Sequence, residues 1–170
     1  GAVAAVAAGI GPLAIAQDGG GSIRRPVSHT GLVGLKPSLS SVPRQHVLPT
    51  LLLDFEIIGP IARTVSDTRL LFDVMRGPAV VDRLSLAAAH AATLPRRNGP
   101  LRVLYVERLG DAPLDPQIAA SVGAGVAQLA ALGHHVETGP LPLDLDFFAT
   151  AWPRIGQMGL ASMFDQHPEW

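Results

Sequence analysis

An α/β fold is what the sequence predicts, on three observations. Residues 101–138 read as strand, helix and strand, the βαβ unit that places parallel strands beside a covering helix. Apolar residues recur at intervals of three or four in some segments and form short unbroken runs in others, so both element types are present. A length of 170 residues suits one domain with a sizeable core.

The elements follow in order. Residues 2–8 read as a short buried helix, with Gly9 and Gly11 supplying positive φ near its end. Residues 13–16 read as a strand that runs into the turn Asp18-Gly19-Gly20-Gly21-Ser22. A short helix over 23–27 is limited by Pro26, and residues 31–35 form another buried strand. Residues 36–53 form a loop rich in Ser and Pro, of a length that is often functional. Residues 55–58 are a strand candidate. Thr64 then caps a helix with Asp67 three positions on, an apolar face of Val65, Leu70, Leu71 and Val74, and a stop at Gly77-Pro78.

An Ala-rich helical stretch lies within 79–100, and residues 95–100 behave as a linker. The chain thus divides into 1–77, a linker-like 78–100, and 101–170. After the strand 101–106, Asp115 as N-cap and Pro116 at the first helical position open the clearest helix, lined by Ile118, Val122, Val126, Leu129 and Leu132 and closed by Gly133. A strand over 135–138 and a helix over 145–164, broken or kinked at Pro153, complete the series.

Bulk properties exclude several functions. A net charge of −1 provides no positive field for nucleic acid or an anionic membrane. Without cysteine there is no disulfide, thiolate metal site or cysteine nucleophile, and a cytoplasmic location is the default. The first 17 residues are uncharged, yet Gly9, Gly11 and Pro12 interrupt them and Asp18 ends the run short of the ~20 apolar residues that a membrane span needs.

The chemistry concentrates at Ser22. Three glycines before it expose backbone N–H groups that no side chain shields, as needed to hold an oxyanion beside an attacking hydroxyl. From these five residues alone, a plain glycine-rich turn feeding a helix is the simpler reading. Other templates fit worse: a nucleophile elbow needs glycine where Arg24 stands, and a phosphate-binding P-loop needs a lysine that is absent there. Gly9-Ile10-Gly11 followed by Ala14 imitates a dinucleotide fingerprint, but Pro12 lies inside it and a helix precedes it.

Three ordered motifs change the balance: Asp18-Gly19-Gly20-Gly21-Ser22-Ile23-Arg24, Gly31-Leu32-Val33-Gly34-Leu35-Lys36-Pro37-Ser38, and Gly59-Pro60-Ile61-Ala62-Arg63-Thr64-Val65-Ser66-Asp67. In order and spacing they resemble the amidase-signature family, and the remaining hundred residues resemble it more loosely. The resemblance implies a mixed β-sheet flanked by helices, here incomplete. It also implies that Ser22 is the nucleophile, that the N–H groups of Gly19, Gly20, Gly21 and Ser22 form the oxyanion hole, and that Asp18 with Arg24 braces the loop. Family members add a lysine base and a bridging serine upstream, the serine within Gly-Ser-Ser-Gly-Gly, whose last glycine matches Gly1. Lys36 is the only lysine and already matches the second motif, so the chain is expected to be a piece of a longer protein and nearly inactive alone. Gln17 stands where the family has threonine, and Gly19 where a larger residue is common, which is expected to loosen the loop.

Other residues carry less. None of His29, His46, His90, His134, His135 and His167 pairs at ligand spacing, so no metal or other cofactor is expected. His29, seven residues after Ser22, reads first as a structural histidine and second as a pocket wall. Asp144 and Asp146 read as a helix cap, Trp152 and Trp170 as packing, and Arg96-Arg97 as solvated linker.

The expected function is hydrolysis of a small-molecule carboxamide through a Ser22 acyl-enzyme, with no direct nucleic-acid or membrane partner and with self-association through uncovered cores. The glutaminase-type component of a tRNA-dependent amidotransferase is an alternative within the family. A non-catalytic binding or structural module is the alternative from another class.

Overall fold

The computed structural model describes residues 1–44, 50–86 and 99–169. It divides into two compact units, residues 1–94 with 153–170, and residues 95–152. The α/β class stands, with helices beside two small sheets among the described residues.

The first unit begins with helix α1 (Ala2–Ala7), strand β1 (Leu13–Asp18) and helix α2 (Arg24–Thr30), followed by the short strand β2 (Val33–Gly34). A 3-10 turn (Leu53–Phe55) then leads into β3 (Ile57–Ala62) and helix α3 (Val65–Met75). The sheet is antiparallel in the order β1-β3-β2, with Leu13 opposite Ala62 and Asp18 opposite Ile57. On one face Ile61 packs with Val3 and Val6 of α1 and with Ile23 and Val27 at α2, all buried. That cluster fixes where β1 ends and α2 begins, and so where the loop between them sits.

Several boundaries depart from expectation for local reasons. Gly9 has the expected positive φ but Gly11 does not. Pro26 does not limit α2, because it lies in the first turn, where a backbone N–H would have no helical partner. Only two residues of the expected 31–35 strand pair, since Gly31 is the left-handed cap of α2. The strand expected at 55–58 lies at 57–62 and contains Pro60. The Pro60 carbonyl accepts from the Leu35 N–H, so its imino side points toward the short β2 and no bond to β1 is forfeited.

The Thr64 hydroxyl accepts the Asp67 N–H at 3.1 Å, the expected cap of α3. The inward side of that helix carries Thr68, Leu71, Phe72 and Met75, whereas Val65, Leu70 and Val74 are exposed among the described residues.

Close approach makes Gly59 indispensable. A Cβ there would overlap the Leu35 carbonyl oxygen and lie 2.9 Å from Ile23 Cδ1. Gly59→Ala is therefore expected to destabilise the protein by about 3 kcal/mol, as overpacking against backbone does. The midpoint of urea unfolding measures it, and a shift worth less than about 0.5 kcal/mol would contradict this packing.

In the second unit, β4 (Arg102–Tyr105) pairs in parallel with β5 (His135–Thr138), and α4 (Pro116–Ala131) connects them, as the βαβ pattern predicts. Asp115 caps α4 by accepting the Gln117 and Ile118 N–H groups. Gly133, at φ +90°, closes it with the bonds Gly133 N–H to Ala130 and His134 N–H to Leu129, the Schellman pattern. Helix α5 (Leu145–Gln166) starts at Asp144, whose Oδ1 accepts the Phe147 N–H, and continues through Pro153 instead of breaking there. Its residues from Pro153 onward belong to the first unit, where a Cβ on Gly159 would overlap the Leu51 carbonyl. The Ala-rich stretch is helical at 83–86, and its remainder, with His46, His90, Arg96, Arg97 and Trp170, lies outside the described residues. No helix among the described residues is long and apolar enough to cross a membrane.

Candidate active site

The turn from β1 to α2 is organised by one carboxylate. Asp18 is fully buried at the last position of β1, and its Oδ1 accepts the Gly21 N–H at 2.7 Å. Its Oδ2 accepts the N–H groups of Ile23 and Arg24, both at 3.2 Å. The Arg24 guanidinium closes the ring bidentately, Nε to Oδ2 and Nη2 to Oδ1, each at 3.0 Å. Burial alone would raise the Asp18 carboxyl, but the hydrogen bonds from the Arg24 side chain and from the Arg24, Gly21 and Ile23 amides outweigh it. They hold it well below the ordinary carboxylate range, so the group is an anion whenever the protein is folded near neutral pH.

This clamp sorts the glycine amides. Gly21 N–H donates to Asp18 Oδ1, so of the four amides from Gly19 to Ser22 it is the one bonded within the protein among the described residues. The N–H groups of Gly19, Gly20 and Ser22 have no acceptor among the described residues. The Ser22 hydroxyl is exposed and likewise makes no hydrogen bond among them. The loop can fold this way because Gly21 adopts φ +107°, a conformation L side chains rarely reach.

Ser22 opens onto two cavities among the described residues. One, of about 270 Å³, is lined by Gly1–Ala4, Ala16, Ser22, Pro26, His29 and Thr30. The other, more open and about 380 Å³, is lined by Gly21, Ser22, Arg25, Pro26 and His29. His29 makes no hydrogen bond among the described residues and faces both cavities, so the pocket-wall reading replaces the structural one. Residues 1–4 line the smaller cavity together with Ser22.

The sequence missed the floor beneath Gly19. A Cβ there would lie 2.7 Å from Leu52 Cδ1 and 2.9 Å from Glu56 Cγ, so these residues fill the space of the larger side chain instead of leaving the loop loose. Glu56 is itself held, its Oε1 accepting the Leu52 N–H at 2.9 Å and its Oε2 lying 3.7 Å from Arg44 Nη2. No local pattern in the sequence marks partners more than thirty positions apart. His134 has a structural role, its Nδ1 accepting the Leu101 N–H. Lys36 lines neither cavity.

Comparison with known proteins is consistent throughout. The Amidase family model matches residues 1–162. An acylamidase of Rhodococcus erythropolis is 38% identical over 167 residues, covering 96% of this chain and 35% of the relative. A glutamyl-tRNA(Gln) amidotransferase component from Picosynechococcus sp. is 39% identical over 145 residues, covering 81% of this chain and 30% of the relative. Among solved structures, a bacterial aryl acylamidase of the amidase signature family superposes with a TM-score of 0.74 at 29% identity, covering 99% of this chain and 35% of the other. A 6-aminohexanoate cyclic dimer hydrolase superposes with a TM-score of 0.64 at 34% identity, covering 81% and 30%. The chain thus spans about a third of the length of these relatives.

Proposed function

From the premise that the chain belongs to the amidase signature family, whose model matches residues 1–162, we propose that it carries the nucleophile of an enzyme that hydrolyses small-molecule carboxamides. Ser22 Oγ attacks the amide carbon and the carbonyl oxygen becomes an oxyanion. The N–H groups of Gly19, Gly20 and Ser22 receive that charge, and each such donor typically lowers the barrier by about 3 kcal/mol. Collapse of the tetrahedral intermediate breaks the C–N bond, the nitrogen leaves as ammonia or an amine after taking a proton, and water then releases the acid from the acyl-serine. The proton leaving Ser22 goes, through a bridging serine, to the lysine base that the family resemblance implies.

One observation carries this reading. The Asp18 clamp takes the amides of Gly21, Ile23 and Arg24, while those of Gly19, Gly20 and Ser22 have no acceptor among the described residues and Ser22 itself lines a cavity.

The test is reaction of the protein, expressed with all that its gene encodes on either side, with a fluorophosphonate. Peptide mass mapping is expected to find the phosphonyl group on Ser22. Modification elsewhere, or none, would remove the assignment and favour a non-catalytic module. The same chemistry serves the glutaminase-type component of a tRNA-dependent amidotransferase, a reading supported by the 39% identity to the Picosynechococcus protein. Ammonia release that rises only in the presence of the other components of such an assembly would distinguish it. Self-association belongs to the same proposal, because Leu13 and Ile15 are exposed on β1, which among the described residues pairs with β3 alone.

A further inference from the structure

Leu52 is wedged between two glycines that belong to different elements. Its Cδ1 lies 2.7 Å, and its Cβ 3.6 Å, from where a Cβ on Gly19 would stand, so the side chain packs directly on the backbone of the loop that carries Ser22. Its other methyl, Cδ2, lies 3.8 Å from the corresponding point on Gly156 of α5. The neighbouring main chain meets the same helix, since the Leu51 carbonyl fills the space that a Cβ on Gly159 would need. Glu56, itself buried, holds the turn from its other end: Oε1 accepts the Leu52 N–H at 2.9 Å, and the Glu56 carbonyl accepts from Arg44 Nη1 at 3.2 Å. Contacts on two sides and a bonded backbone thus keep Leu52 against Gly19.

The Cα of Gly19 joins the two peptide units that carry the Gly19 and Gly20 N–H groups. Neither of those amides is bonded by the Asp18 clamp, which reaches Gly21, Ile23 and Arg24, and a glycine has no side chain with which to anchor itself. We propose that Leu52 is a positioning residue for the oxyanion site, supporting the Gly19 backbone so that both N–H groups stay aimed at the carbonyl oxygen as it becomes charged. This rests on the proposed role of Ser22. Donors of this kind act only when their direction is set before the charge develops, and a displacement of about 1 Å forfeits much of the effect. A neutral amide oxygen depends on them less, so the support acts on the chemical step more than on substrate affinity.

Leu52→Ala removes the wedge. In the protein expressed with all that its gene encodes, kcat for a 4-nitroanilide is expected to fall about tenfold with KM changed less than about twofold, short of the roughly hundredfold cost of losing a whole oxyanion donor. Fluorophosphonate labelling of Ser22 should slow by a similar factor. Leu52→Met, which conserves volume, should keep kcat within about twofold. Rates are taken per folded molecule, with the folded fraction read from urea unfolding, so lost stability alone does not mimic the effect. Should the alanine variant fail to fold, Leu52→Val removes less and is expected to lose about threefold in kcat. An unchanged kcat in the truncated variant, a loss confined to KM, or an equal loss in Leu52→Met overturns the proposal while leaving the Ser22 assignment intact. Absence of labelling at Ser22 in the unsubstituted protein removes both.

Discussion

Asp18→Asn is expected to lower the unfolding free energy by about 3 kcal/mol and to abolish labelling of Ser22, although the two side chains are nearly the same size. The carboxylate accepts five hydrogen bonds with two oxygens and is fully buried. An amide has one oxygen, and whichever way it is turned its NH2 faces either Gly21 N–H and Arg24 Nη2 or the Ile23 and Arg24 donors. Donors then confront donors at a fully buried position. Urea unfolding measures the loss, and a shift below about 1 kcal/mol would show that the loop does not depend on this anion.

The same carboxylate sets a pH dependence. Its pKa is depressed in the folded state relative to the unfolded chain. The unfolded state therefore binds the proton first, and the stabilisation is complete above the unfolded value near about 4. It is lost progressively as pH falls through that value and below it. An unfolding curve that declines below about pH 4 in the unsubstituted protein should decline less steeply in Asp18→Asn.

Ser22→Ala is expected to do the opposite. The hydroxyl is exposed and bonds to nothing among the described residues, so stability should stay within about 0.5 kcal/mol. Amide turnover by the protein expressed with its flanking sequence should fall by about 10⁴-fold or more, because removing an attacking atom leaves only the donors of the oxyanion site. Initial rates against a 4-nitroanilide measure it, and retention of even a tenth of the rate would place the nucleophile elsewhere. Together the two substitutions separate a residue that builds the loop from one that would act in it.

Much of the fold was legible because its signals are local. Thr64 with Asp67, Asp115 before Pro116, and Gly133 after α4 are each satisfied within a few residues, and their helices begin or end where the sequence says. The position of β3 was not legible, because a proline ordinarily ends a strand and Pro60 is tolerated only through its orientation toward β2. Periodicity located apolar helix faces without telling which is buried: α3 turns Thr68 and Phe72 inward and leaves Val65 and Val74 outside. At the candidate site the glycine run and its flanking Asp18 and Arg24 were readable as a motif. The division of the amides was not, since it depends on which N–H each Asp18 oxygen reaches, nor was the floor of Leu52 and Glu56 beneath Gly19.

A carboxylate that grips both the end of a strand and the first turn of the next helix makes strand, turn and helix a single rigid corner. Gly21, Ile23 and Arg24 are bonded to the grip and Gly21 also holds a φ of +107°, so the turn tolerates little change at those positions. Arg25 and His29 ride on that corner and line the open cavity without bonding to the Asp18 carboxylate.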